Sequence, residues 1–279
     1  MNAILTQLSP LFIALFLATA MLSLGLDLRV GQIIGALRNR RLMAASLLSS
    51  VVLVPLVALI LTLLIPMDEA LQTGFLLYAL AAGVESGPKF VQMARGNSAF
   101  AIGLLMVQIT ITVVGLPLAI SYVVPDAQIN RSTVLLKLLL VVALPLGIGL
   151  FVRARNQALA ARLSPGLHRT SMILLLLVLA HLFYANFDTM LSVEPIALLA
   201  SLLLFAIALP IGYALGGPER TDRRALGIMS FARNAAISMM IASQVFPQEP
   251  KVMAMVVVLA LMTFVTTAAV TAWFSRTAP

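Results

Sequence analysis

The stretch Gly83-Val84-Glu85-Ser86-Gly87-Pro88-Lys89 lies in the middle of an apolar run, residues 71–93, that is long enough to cross a membrane. It places a carboxylate, a helix breaker and an ammonium group close together along the chain. Each charge that faces lipid would raise the free energy of membrane insertion by about 2.5–3.5 kcal/mol. Proline removes one backbone N–H and the two glycines loosen the backbone. The sequence therefore predicts a helix that breaks where protein or water can satisfy its polar groups.

A second apolar run, residues 225–246, is interrupted in a similar way by Ser230-Phe231-Ala232-Arg233-Asn234. An arginine and an amide inside a membrane span are expected to face protein or a water-filled cavity, because lipid cannot solvate them. We interpret the two interruptions as the two halves of one transport site.

The composition is that of an integral membrane protein. Of the 279 residues, 61% are hydrophobic and 10% are charged, whereas soluble domains are about 45–50% apolar and about 25% charged. The net charge of +8 is expected to reflect cytoplasmic loops and not nucleic-acid binding. The sequence contains no cysteine, and it has no zinc-protease, nucleophile-elbow or phosphate-loop motif. We therefore predict neither an enzyme nor a site for a cofactor or metal.

Apolar windows separated by charged residues predict nine membrane spans in a single transporter unit covering residues 1–279. Most arginines lie in one set of loops, whereas the opposite set holds only Arg131 and Lys251. The positive-inside rule then places the N-terminus outside and the C-terminus in the cytoplasm, in a multi-pass protein of the cell (inner) membrane. The predicted spans are residues 8–26, 42–65, 71–93, 99–123, 133–152, 171–187, 195–215, 225–246 and 252–274.

The predicted spans 1–4 and 6–9 share one pattern in opposite orientations, with span 5 as the connector. Each set has two spans, an interrupted span and a final span. Inverted repeats with broken helices at matching positions are typical of secondary transporters. The predicted fold class is therefore all-α, with two broken crossing helices at spans 3 and 8. The predicted substrate or coupling residues are Glu85, Ser86, Lys89, Arg233, Asn234, Thr110 and Thr112, with Gly83, Gly87 and Pro88 shaping the backbone.

Four stretches resemble the bile acid:sodium symporter family in its nine-helix form. They are residues 21–28 (Met-Leu-Ser-Leu-Gly-Leu-Asp-Leu), Pro55, Ala94-Arg95-Gly96-Asn97 and Arg233-Asn234-Ala235-Ala236. The resemblance implies a core domain with the crossed helices, and a smaller panel domain. Substrate is then expected to bind between them, with alternating access produced by one moving against the other. The core would comprise spans within residues 42–123 and 195–274, and the panel residues 8–26, 133–152 and 171–187.

The residues that this resemblance assigns to sodium binding are replaced. The position of a glutamate holds Met229, and the positions of two glutamines hold Arg233 and Ser50. Sodium needs oxygen ligands, which a thioether does not supply, and a guanidinium would repel the ion. We therefore predict that sodium coupling through these sites is lost. The other ligand positions fall on Gly87, Ala101, Leu105 and Met106.

Arg233 and Lys89 are expected to act as built-in charges in place of sodium. With Glu85 they would form a cluster of net charge +1, which suits a monoanionic organic substrate. The predicted partners are thus a small organic anion and the lipid bilayer, and no nucleic acid.

Other interpretations of these residues stay open from the sequence. Arg233 could pair with Glu85 as a structural brace, or contact substrate directly. Glu85 could instead carry a proton, in a proton-coupled symporter or a cation:proton antiporter. A sodium-coupled symporter of organic anions with altered sites is a further alternative.

Overall fold

The computed structural model describes residues 2–123 and 130–276, of which 87% are helical and none belongs to a strand. Thirteen helices follow one another along the described chain. They are α1 (Asn2–Asp27), α2 (Val30–Arg38), α3 (Arg40–Leu64), α4 (Glu69–Leu80), α5 (Gly87–Met93), α6 (Ser98–Val123), α7 (Arg131–Arg155), α8 (Gln157–Ala185), α9 (Phe187–Leu191), α10 (Pro195–Leu215), α11 (Arg220–Phe231), α12 (Ala235–Val245) and α13 (Pro250–Arg276).

Seven of these helices are long and apolar enough to cross a membrane: α1, α3, α6, α7, α8, α10 and α13. Their positions agree with seven of the nine predicted spans to within a few residues, apart from the start of α8. The chain is therefore an all-helical, multi-pass membrane protein, as its composition predicts.

Helix α8 begins at Gln157, well before the predicted start of its span at residue 171. Asn156 caps it, because its side-chain oxygen accepts the N–H of Leu159 at 2.9 Å. Arg162 and Arg169 lie inside the helix and not in a loop. Charged residues mark where a helix leaves the bilayer, but its backbone hydrogen bonds are internal and continue past that point.

The predicted loop after the first span contains the short helix α2. Its first turn is closed by the side-chain oxygen of Gln32, which accepts the N–H of Arg29 at 3.0 Å. Ala36 is buried against Gly103 of α6, and Ile34 and Leu37 remain about half exposed. The sequence prediction missed this helix because nine residues flanked by arginines are too short for a span.

Two pairs of shorter helices, α4/α5 and α11/α12, occupy the places of predicted spans 3 and 8. The first interruption contains Gly83, whose φ of +92° is a conformation that residues with a Cβ rarely adopt. Pro88 lies in the first turn of α5, where its missing N–H costs no helical hydrogen bond. The residues that predicted a break thus end one helix and start the next.

Helix α3 contains a π-helical stretch, Leu48–Leu53, just before Pro55. The N–H of Val54 donates to the carbonyl of Ser49, one residue further back than in an α-helix. In the same pattern the carbonyl of Ser50 would accept from residue 55, but proline has no N–H. The Ser50 carbonyl is therefore left without a helical donor and is available to another group.

Helices α1, α7 and α8 pack on one another, and α1 approaches α7 closely through Gly25 and Gly149. A Cβ added at Gly25 would lie 2.4 Å from the carbonyl oxygen of Leu146, and one at Gly149 would lie 2.5 Å from that of Leu22. Small residues let helix backbones come together inside a membrane. Elsewhere α10 packs on α11 and α13 packs on α4, so long helices surround the interrupted pairs.

Asp68 joins the start of α4 to the start of α13. Its Oδ1 accepts the N–H of Ala70 at 3.0 Å and caps α4, and its Oδ2 accepts from Nζ of Lys251 at 2.6 Å. The hydrogen bond from Lys251 is the main reason why the pKa of Asp68 lies below its usual value. A carboxylate with a lowered pKa stabilises the folded chain above its unfolded-state pKa, and this contribution is lost as the pH falls through the lowered value.

We expect Asp68→Ala to lower the melting temperature in detergent at pH 7 more than Asp68→Asn, because asparagine keeps a capping oxygen worth about 1 kcal/mol. On acidification below about pH 4, the usual pKa of an aspartate, the wild type should lose more stability than Asp68→Asn, which has no carboxylate to protonate. Identical acid sensitivity of the two proteins would contradict a stabilising ion pair.

Candidate functional site

The two interruptions lie in direct contact. The backbone N–H of Asn234 donates to the carbonyl of Ala81 at 2.8 Å, and Ala82 and Arg233 form an isolated antiparallel β-bridge. From α6, the hydroxyl of Thr112 donates to the carbonyl of Ala82 at 2.8 Å. Backbone groups freed by the broken helices are thus paired inside the protein, as a chain in lipid requires.

The side chain of Asn234 holds the interruptions together. Its Nδ2 donates to the carbonyl of Gly83 at 2.8 Å and to Oε1 of Glu85 at 3.1 Å. Its Oδ1 accepts the N–H of Ile237 at 3.0 Å and so caps α12. Because Asn234 is fully buried, each of these bonds replaces one that water would otherwise make. Asn234 is therefore a structural centre of the contact and also the partner of the Glu85 carboxylate.

The guanidinium group of Arg233 is buried at the same contact, with 1% of the residue exposed. Its Nη1 donates at 2.6 Å to the carbonyl of Ser50, the group that Pro55 leaves without a helical donor. Its Nε and Nη2 have no hydrogen-bond partner in the described part of the chain. Within that part, Glu85 bonds to Asn234 and forms no ion pair with Arg233. The structural brace between Arg233 and Glu85 is therefore not formed.

Several of the positions that the family resemblance assigns to sodium are occupied by apolar groups. A Cβ added at Gly87 would lie 2.6 Å from Sδ of Met229, so the thioether packs directly on Gly87. Met229 and Ala101 are fully buried, and the hydroxyl of Ser50 donates to the carbonyl of Ser46 at 2.8 Å. Among the described residues no cluster of three or more His, Cys, Asp or Glu side chains could hold a metal ion. The side chains of Gly87, Ala101 and Met229 offer no oxygen ligand, which a hard cation needs.

Lys89 is exposed, and its Nζ lies 3.3 Å from Nε2 of His168 on α8. Successive residues of a helix point about 100° apart, so a charge on α5 need not face the same way as the interruption before it. The ammonium group is thus directed to α8 and not to the buried guanidinium of Arg233. The three side chains of the predicted +1 cluster are not gathered at one point in this conformation.

The remaining predicted residues have mainly local roles. Thr110 is exposed and donates to the carbonyl of Met106 on its own helix at 2.9 Å, so it faces away from the interruptions. The carbonyl of Ser86 accepts the N–H groups of Lys89 and Phe90 at 3.1 and 3.2 Å, which starts α5. Ser86 therefore acts through its backbone.

Two further polar contacts lie near the interruptions, and the sequence did not reveal which residues are the partners. The hydroxyls of Ser49 and Ser230 hydrogen-bond to each other and link α3 to α11. Gln108 of α6 donates through Nε2 to the carbonyl of Met229 at 3.3 Å. The only signal in the sequence was a polar residue in an apolar helix, which does not reveal the partner.

Long apolar helices around two interrupted helices that meet inside the protein are typical of secondary transporters. The chain belongs to the SBF-like CPA transporter family, whose family model matches residues 7–276. The match covers both interrupted helices and confirms the bile acid:sodium symporter-like family that the sequence motifs indicated. No curated protein matches the sequence.

Asn234→Ala should destabilise the folded chain by about 2–4 kcal/mol, because it removes a helix cap and leaves the Gly83 carbonyl and the Glu85 carboxylate without a donor. Asn39→Ala is the matched control, since exposed Asn39 caps α3 through Leu42 but makes no bond across the interruptions. It should cost only about 1 kcal/mol. Unfolding of both variants in mixed micelles measures the difference, and equal losses would contradict a special role of Asn234.

Proposed function

We propose that the chain is a secondary transporter or facilitator that moves a small organic anion by alternating access, without sodium coupling. The observation that carries the proposal is the buried guanidinium of Arg233 at the contact between the two interruptions. The family resemblance places a sodium ligand at this position. Here the position carries a positive charge that is not released during the transport cycle.

The proposed topology has nine spans in two inverted repeats. Seven long helices each cross once, and the pairs α4/α5 and α11/α12 each supply one further crossing that is broken at its middle. Both repeats then contain two helices, an interrupted pair and a final long helix. The distribution of arginines favours an N-terminus outside and a C-terminus in the cytoplasm, in the cell (inner) membrane.

We place the substrate between a panel of α1, α7 and α8 and a core of the other long helices with the interrupted pairs. The packing of the three panel helices on one another supports this division. The panel meets the core where His168 contacts Lys89. The ammonium group of Lys89 at this boundary would attract an anion, and movement of the panel against the core would separate it from His168.

The packing around Met229 supports transport without sodium. Its thioether occupies the space beside Gly87, and the adjacent helix break carries Arg233. In a sodium symporter the cation brings positive charge to the site in each cycle. A permanent guanidinium supplies this charge without an ion, so an organic anion can be bound in the absence of sodium.

The test is uptake of a labelled organic anion into proteoliposomes. Uptake by the wild type should be unchanged when choline replaces sodium. Arg233→Gln should reduce uptake at least about tenfold, which corresponds to a loss of about 1.4 kcal/mol of binding. Lys137→Gln is the control, because it removes an exposed charge of α7, a helix that contains neither interruption. A steep sodium requirement would overturn the proposal and favour a sodium symporter with altered sites.

Proton coupling through Glu85 is the second candidate function. Its carboxylate lies at the first interruption and accepts a hydrogen bond from the neutral amide of Asn234. Glu85 forms no ion pair with any described residue. Protonation would therefore break no salt bridge. In the same vesicles, an acid-outside gradient that accelerates uptake by the wild type but not by Glu85→Gln would establish this alternative. If the fixed charge of Arg233 supports transport without sodium or proton coupling, the gradient should not change the uptake rate.

A further inference from the structure

One edge of the Arg233 guanidinium has no partner. Nη1 donates to the carbonyl of Ser50, whereas the unpartnered groups are Nε and Nη2. In an arginine side chain the N–H of Nε and one N–H of Nη2 lie on the same edge of the planar group and point in parallel. The residue is 1% exposed, so solvent does not reach these two donors in this conformation.

The side chains around the site do not supply an anion for this edge. Glu85 accepts a hydrogen bond from Asn234, and the hydroxyl of Tyr78 donates to Thr263 at 2.7 Å. A charge in the membrane interior is costly unless it is paired and hydrogen-bonded. The ion that completes the site is therefore expected to come from outside the described chain.

Two parallel N–H donors in one plane match the two oxygens of a carboxylate, which binds arginine in a bidentate manner. We propose that a carboxylate of a small organic acid binds side-on to Nε and Nη2 of Arg233. This inference rests on the proposed function and deepens it, because it names the substrate class as a monocarboxylate. In this inference Arg233 contacts the substrate directly and is not merely a fixed charge near it.

The position of Arg233 explains how binding would be coupled to conformation. The residue contacts Ser50 of α3 and pairs with Ala82 of the first interruption, while it belongs to the second interruption itself. A carboxylate on its free edge therefore lies where three segments meet. Because the edge is buried, the ligand reaches it only when these segments separate, and their return encloses the ligand. Bound carboxylate should accordingly stabilise the whole site.

The experiment measures the unfolding temperature of the purified chain in detergent and, by calorimetry, its affinity for added ligands. The probes are acetate and butyrate, each compared with its neutral amide, and chloride. The wild type should be stabilised by the carboxylates and not by the amides or chloride. Arg233→Lys keeps the positive charge but loses the two-donor edge, so it should bind carboxylate at least about tenfold more weakly. Lys137→Gln should behave as the wild type.

If a variant does not fold, a second measurement on the wild type tests the inference. Bidentate hydrogen bonding should shift the antisymmetric stretch of ¹³C-labelled carboxylate in difference infrared spectra. Equal effects of carboxylate and amide would show that the charge of the ligand plays no part, equal effects of chloride would show an unspecific anion site, and unchanged binding in Arg233→Lys would exclude the two-donor edge. Each of these results overturns the inference but leaves sodium-free transport standing, whereas a sodium requirement for uptake overturns only the proposed function.

Discussion

The hydrogen bond from Arg233 to the carbonyl of Ser50 holds a positive charge inside the membrane-spanning part of the chain. A helix interior would not normally offer a carbonyl, because each one accepts from its own helix. Pro55 has no N–H to donate, and the π-helical stretch Leu48–Leu53 directs the missing bond to the Ser50 carbonyl. The proline in one helix therefore creates the acceptor that fixes an arginine in another.

The contact between the interruptions surrounds this bond with paired backbone groups. Asn234 joins both interruptions, and Thr112 covers the carbonyl of Ala82. Non-helical backbone is tolerated at membrane depth only where the protein satisfies its polar groups. The contact between the interruptions does this, and it also brings polar side chains to the interior of the protein. The residues that satisfy the backbone at this contact are thus also those of the proposed anion site, which is why Asn234 cannot be treated as a substrate ligand alone.

Helix breaks were predictable from the sequence because their cause is local. Gly83 and Pro88 end and start helices by backbone chemistry alone, and an arginine in an apolar run is expected to face inward. The partner of that arginine was not predictable, since Ser50 lies far away in sequence and its carbonyl is free only through Pro55. The direction of Lys89 towards His168 was missed for the same reason, because His168 lies far away in sequence on α8.

The effect of sodium on the unfolding temperature tests most directly whether a fixed charge has replaced the cation. It is measured on the purified wild type and on the double variant Met229→Glu/Arg233→Gln, with choline as the counterpart of sodium. We expect the wild type to unfold at the same temperature in both salts. The double variant restores a carboxylate and an amide at the positions that the family resemblance assigns to sodium, and it should gain a saturable stabilisation by sodium. Stabilisation of the wild type by sodium would contradict the fixed-charge mechanism.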